Sequence, residues 1–253
     1  MATDLAKLAA ALLQSGPHKQ EVTTRRVRAL FNRVYVADTT SARFVWEHPY
    51  YPQFYVPVSS VKGGELRKDQ AIDDDKSAFL ATLKVGSRAT NRVLLFEKGA
   101  LAGLVRIEFG AVDSWYEEDQ EIYVHPKDPY KRVDVLPSSR KVTVKVDGQT
   151  IAESSNVMCL YETGLPTRHY LPQTAVDWNL LTPSDVITKC PYKGEANYFD
   201  VEVKGKKHRG LVWWYRYPTP ESIAIAGRVC AYDEKVDTYI DDVLQERPKS
   251  KFG

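Results

Sequence analysis

Residues 37–57 read ADTTSARFVWEHPYYPQFYVP, and residues 152–172 read AESSNVMCLYETGLPTRHYLP. Laid over each other at a separation of 115 positions, Ala37 meets Ala152, Glu47 meets Glu162, Tyr55 meets Tyr170 and Pro57 meets Pro172, without a gap. Asp38-Thr39-Thr40 falls on Glu153-Ser154-Ser155, Trp46 falls on Tyr161, and upstream Val27 falls on Val142. A second block follows at a separation of 124. Ala102-Gly103 meets Ala226-Gly227, Val105 meets Val229, Val112-Asp113 meets Val236-Asp237, Trp115 meets Tyr239, and Glu117-Glu118 meets Asp241-Asp242. Two long collinear blocks in one order mark a repeated structural unit. The chain therefore reads as two copies of one domain.

The unit reads as mainly β. Short β-type runs occupy 26–35, 79–85, 93–97, 104–109, 141–146, 198–203, 211–217 and 229–232, many bounded by Gly, Pro, Asp or Asn. Asp147-Gly148 predicts a two-residue hairpin turn, and 204–210 the tip of another. One helix is expected over 4–14, with Thr3 as N-cap, leucines at helical spacing and a stop at Gly16-Pro17. Its apolar face should pack on the body of the protein. The sequence HPKDPY at 125–130 favours an extended connection. The expected organisation is a helix and linker over 1–20, a first β domain over 21–124, a linker over 125–139 and a second β domain over 140–253. Two tandem copies imitate a homodimer, so a pseudo-two-fold relation is expected, with the junction a natural ligand cleft.

Composition excludes several classes. The chain has 253 residues, 43% of them apolar and 27% charged, as in ordinary soluble proteins. A net charge of +2 offers no broad attraction to nucleic acid or anionic membranes. No apolar run reaches the roughly 18 residues needed to span a bilayer. Three cysteines, no CxxC pair and no HExxH give neither a disulfide scaffold nor a usual zinc site. The opening residues do not read as a secretory signal, so a cytoplasmic setting is expected. Fifteen tyrosines and five tryptophans suit a lined pocket. The expected partner is a small molecule, not nucleic acid or membrane, and the expected state is a monomer or weak dimer.

The motifs YETGLPTRHYLP at 161–172, CPYKG at 190–194 with Ala196 and Tyr198, Trp214-Tyr215 with Pro218, and Ile225-Ala226-Gly227 form an ordered set. The set resembles the family called domain of unknown function 427, which also carries a nucleotidyltransferase-like label. WEHPYY at 46–51 and HPKDPY at 125–130 resemble the companion domain of its two-domain members. The resemblance covers nearly all of the chain after residue 20. It implies a compact, tent-like β domain in which two sheets meet over a cleft, and it implies no established reaction. Zinc-holding proteins of tent-like shape use paired CxxC motifs, which are absent here. There is also no P-loop and no Asp-x-Asp pair in a strand context, so no cofactor and no metal is expected.

Several residues are candidates for chemistry. Cys190, flanked by Lys189 and Lys193, reads either as an activated thiol with His169 as its base or as a buried small residue in a turn set by Pro191 and Gly194. Glu162, matched by Glu47, is either a buried paired carboxylate or an acid/base over a cavity. Arg168 is either its partner or an anion clamp. Lys193 is a second anion contact, Tyr192, Tyr198 and Trp214 are the walls, and Tyr170 is a further ligand-binding candidate. Trp46, His48, Tyr50 and Tyr51 either pack an interface or contribute to the site with Glu47. Glu162, Arg168, Tyr192 and Lys193 are expected to converge on one cavity. The acidic run at 113–121 and the basic tip at 204–209 read chiefly as solvated faces. Two functions stay open: a cofactor-free enzyme of small-molecule metabolism with an aromatic-lined cleft in the second domain, or a non-catalytic ligand- or peptide-binding module.

Overall fold

A computed structural model describes residues 4–250, and the chain divides after Asp128 into two units. The first opens with helix α1 (Leu5–Ser15) and continues with β1 (Lys19–Val22), β2 (Val27–Phe31), β3 (Val34–Thr39), β4 (Arg43–Trp46) and β5 (Gln53–Pro57). It goes on through β6 (Glu65–Ala71), β7 (Ala78–Val85), β8 (Arg88–Phe96), β9 (Leu104–Ile107), β10 (Ser114–Glu117) and β11 (Gln120–Ile122). The second unit holds β12 (Val133–Ser138), β13 (Val142–Val146), β14 (Gln149–Ser154), β15 (Val157–Glu162) and β16 (Arg168–Pro172). Then come β17 (Leu181–Cys190), β18 (Gly194–Val203), β19 (Lys206–Tyr215), β20 (Arg228–Ala231), β21 (Asp237–Ile240) and β22 (Val243–Leu244).

Strand for strand, the two units share one topology. Each has a seven-stranded sheet, β1-β4-β5-β9-β8-β7-β6 or β12-β15-β16-β20-β19-β18-β17. Each has a four-stranded sheet, β11-β10-β2-β3 or β22-β21-β13-β14. The register agrees as well. Arg43 lies opposite Tyr55 as Met158 lies opposite Tyr170, and the bridges Ala37–Val61 and Ala152–Val176 keep the separation of 115. The hairpin at Asp147-Gly148 forms as expected, with φ of 47° and 82°, the left-handed pair that a two-residue turn requires.

One part of the sequence alignment slips. Val27 pairs with Glu117 on β10, whereas its counterpart Val142 pairs with Ile240 on β21. The separation there is 123, so Trp115 corresponds to Thr238, and Tyr239 to Tyr116. The extra residue of the first unit lies just before β10. Side chains alternate between faces along a strand, and a one-residue slip would turn Trp115 outward. Trp115 and Thr238 are in fact both buried.

The connection expected over 125–139 is shorter than that. Val133–Ser138 is the edge strand β12, paired along its length with β15. Pro137 is tolerated because an edge strand needs hydrogen bonds on one side only. Likewise Lys19 and Gln20 belong to β1, which pairs with β4.

Each seven-stranded sheet buries both faces. Its inner face meets the four-stranded sheet over the main core, the tent-like pairing of sheets that was expected. In the first unit the outer face carries Val45, Tyr55, Leu94 and Phe96, covered by Leu5, Ala9 and Leu12 of α1. Asp4 caps this helix, accepting from the Lys7 N–H at 3.1 Å. Thr3, expected as the cap, lies outside the described residues. In the second unit the same face carries Tyr170, Tyr198, Trp213 and Tyr215. Its buried Ile225 comes from the 3-10 helix Pro220–Ile225, part of the second copy's extra length.

Leu12→Ala should therefore destabilise the first unit by about 2–4 kcal/mol, as for a buried leucine elsewhere. Hydrogen exchange resolved by domain should show faster exchange in β5 and β8 with β16 and β19 unchanged.

Candidate functional site

Glu162 ends β15, and its side chain is almost fully buried. It forms an ion pair with Lys193 from the turn between β17 and β18. Burial works against the Lys193 ammonium, but the Cys190 sulfur and the Glu162 carboxylate outweigh it and hold its pKa above the ordinary lysine value. The counterpart Glu47 is buried too, and Arg106 on β9 neutralises it, with a further bond from the Tyr55 hydroxyl at 3.0 Å. Where Arg106 stands in the first unit, the second has Cys230. A carboxylate at this position thus needs a cation, and each unit supplies one from a different element.

Arg168 does not pair with Glu162. Its guanidinium grips Glu234 with two bonds of 2.8 and 2.6 Å, lies 3.4 Å from an Asp233 oxygen, and sits over the Trp213 ring. Burial opposes the Glu234 charge, but Arg168 and the Ser250 hydroxyl pull its pKa down to about 2. The expected convergence of Glu162, Arg168, Tyr192 and Lys193 resolves into two separate ion pairs. Tyr192 is buried, with its ring near the Lys131 ammonium and its carbonyl accepting from Thr219 and Ser222.

The aromatic walls also divide. Tyr170 is fully buried and accepts from the Trp213 indole at 3.1 Å. Burial pushes its phenol well above the ordinary value. Tyr198 links Thr188 to Tyr232 through hydroxyl contacts of 2.9 and 3.2 Å. Trp214, expected beside Tyr198, points to the inner face and stacks on Phe199. Adjacent residues of a strand face opposite ways, so Trp213 is the outer-face wall. Cys190 is half-buried, and Cys159, Cys190 and Cys230 are all free thiols.

The most informative contrast lies inside. In the first unit Phe44, Phe54, Phe109 and Trp115 form one aromatic plug, with Trp115 5.8 Å from both Phe54 and Phe109. By register the second unit has Cys159, His169 and Thr238 at three of these positions, and matching turn hydrogen bonds put Asp233 at the fourth, that of Phe109. Thr238 donates to Asp233 at 2.6 Å, and Asp233 also faces Arg168. Cys159 lies directly across the strand pair from His169. The His169 Nδ1 atom is buried and has no hydrogen-bond partner. Burial lowers the His169 pKa below the ordinary imidazole value, against a smaller upward pull from Asp233. Burial raises Asp233, against its bond from Thr238. The cluster thus offers a neutral imidazole and a buried carboxyl group beside a fixed guanidinium, a set suited to holding and exchanging protons.

Cys159, Asp233, Glu234 and Thr238 were missed from sequence. Reading the two copies for exchanges of character, aromatic against polar, would have found Cys159, His169 and Asp233. Thr238 was hidden by the one-residue slip. The thiol that faces His169 is Cys159, not Cys190.

In the first unit, His48 packs edge-on against Tyr51, which stacks on His125 at 3.9 Å, and Tyr50 is exposed. Burial lowers the His48 pKa. The acidic run is engaged by Arg88, Arg25 and Arg28, and the basic tip by Asp147, Asp200 and Asp185. Among the described residues no helix is long and apolar enough to cross a membrane.

The profile of the family described as Domain of unknown function (DUF427) matches the chain twice, over residues 19–117 and 134–242. The chain belongs to this family and carries its domain in tandem. No curated protein matches the chain.

Arg168→Ala would strand Glu234 in the interior. We expect a loss of about 3–5 kcal/mol in urea denaturation. The paired apolar variant Arg168→Met with Glu234→Leu should lose clearly less, since no charge is left buried alone.

Proposed function

We propose that this tandem DUF427 protein binds a small polar molecule in its second domain, at the His169–Asp233–Thr238 cluster, and that His169 serves there as an acid–base group. The reading makes the protein a cofactor-free enzyme of small-molecule metabolism, with the first domain as a scaffold copy. One observation carries it. A fold that closes this position with four aromatic rings in one copy puts Cys159, His169, Asp233 and Thr238 there in the other, and leaves a buried imidazole nitrogen unsatisfied. An unpaired buried polar atom costs about 1–3 kcal/mol, and a ligand that hydrogen-bonds to it removes that cost. Arg168, held by Glu234, fixes the loop that carries Asp233 and so orients the cluster. Three free thiols fit a reducing, cytoplasmic setting.

The competing reading is a non-catalytic binding module using the same cluster. A thermal-shift screen of the full chain against a metabolite library tests both, because a ligand of the native state raises the melting temperature. His169→Phe and Asp233→Phe restore the first domain's residues. They should keep the fold and abolish the shift. A hit that still shifts both variants would place the ligand elsewhere and sink the proposal. Turnover of the hit in wild type separates enzyme from module.

The pH dependence has a definite sign. The unfolded chain protonates His169 near its ordinary value of about 6.5, and the folded chain only below that. The stability contribution of His169 is complete above pH of about 6.5 and is lost as pH falls through the lowered folded value. In a stability–pH curve, His169→Phe should flatten that limb.

A further inference from the structure

The exchange of rings for other side chains also runs the other way, in the first domain. A groove of about 740 Å³ lies there, with Val58, Val61, Leu66 and Leu95 along it and the Lys68–Glu97 ion pair at its rim. In the second domain, rings of the chain itself stand beside the corresponding place. Trp178 meets Phe199 edge-on at 5.1 Å, and Phe199 stacks on Trp214 at 6.3 Å. The Trp178 indole N–H donates to the carbonyl of Gln173 at 2.9 Å.

Register identifies the counterparts. Leu66 faces Leu83 as Leu181 faces Val201, so Trp178 corresponds to Gly63 and Leu180 to Glu65. Phe199 corresponds to Ala81, and Trp214 to Leu95. Three large rings thus give way to Gly, Ala and Leu. Gly63 cannot regain the lost ring: its φ is +73°, and a Cβ there would stand 2.5 Å from Val34 Cγ1. The counterpart of the Gln173 carbonyl is that of Val58. It accepts one bond, from the Val61 N–H at 3.1 Å, and a carbonyl oxygen has two lone pairs. The rim pair Lys68–Glu97 is neutral in sum, so the groove asks for no net charge.

We propose that this groove binds a small, uncharged, planar aromatic molecule bearing a ring N–H, seated where the second domain places its own indole. The ring lies over Leu95 and Val61, and its N–H donates to the Val58 carbonyl. This site is independent of the His169 cluster, and its occupant differs in character from the polar ligand argued for there.

Indole is the probe. Chemical-shift mapping on the full chain should show saturable shifts confined to Val58, Val61, Leu66 and Leu95. 1-Methylindole, which lacks the donor, should bind at least about fivefold more weakly, consistent with roughly 1 kcal/mol for one hydrogen bond. Leu95→Trp or Ala81→Phe installs a ring of the second domain and should weaken indole at least about tenfold. The 1-methylindole comparison needs no variant and so stands even if both substitutions fail to fold. The proposal is overturned by an absence of saturable shifts up to the solubility of indole, by equal binding of 1-methylindole, by shifts confined to the second domain, or by undiminished binding in a folded Leu95→Trp or Ala81→Phe protein.

Discussion

Every residue of a strand has one face, and in this protein both faces of each seven-stranded sheet are used. β5 and β16 lie third in the order of their seven strands. Tyr55 and Tyr170 go to the outer face, and Phe54 and His169 to the inner one. Nothing on these strands can change sides without a slip of register that would move every neighbour. Core, covering helix and polar cluster all follow from that alternation. The outer face accepts α1 in the first domain because it ends in Leu94 and Phe96. In the second domain it ends in Trp213 and Tyr215, whose hydrogen-bonding and aromatic neighbours replace helix packing.

The second constraint is electrostatic. Glu47 and Glu162 are buried at equivalent strand ends, and an unpaired carboxylate there would be too costly to keep. The two domains meet the same need with Arg106 and with Lys193. The ion pair is therefore conserved in function within the molecule although its cation moves from a strand to a turn. This places CPYKG at 190–194 in a structural setting: its lysine closes the charge of Glu162, and its Gly194 lies against the backbone of Tyr217. Freed from Glu162, Arg168 turns to Glu234 and fixes the loop that carries Asp233.

Duplication then lets each copy vary where the other is closed. Aromatic rings fill the inner position of the first domain, and a Cys-His-Asp-Thr set occupies it in the second. Rings stand beside β17 in the second domain, and Gly63, Ala81 and Leu95 take their places in the first, where a groove lies. A well-packed core tolerates such exchanges because each is local to a few facing side chains, while the backbone hydrogen bonds that define the sheets are untouched.

Much of this was legible in the residues alone. The repeat, the β character, the hairpin at Asp147-Gly148 and the helix stop at Gly16 depend on spacing and local backbone preference, which a sequence carries directly. Glu162, His169 and Lys193 were recognisable as chemically active types, and the shared Glu47 marked the first as significant. What only the tertiary structure decided is who meets whom. The one-residue insertion before β10 barely alters a comparison of letters, yet it exchanges Tyr239 for Thr238 at an inward position. The partner of Arg168 lies 66 residues away and the partner of Glu162 lies 31 away, on elements that sequence order does not bring together. Such pairings are set by strand order and register, which arise from the packing of the whole sheet and not from any stretch of it.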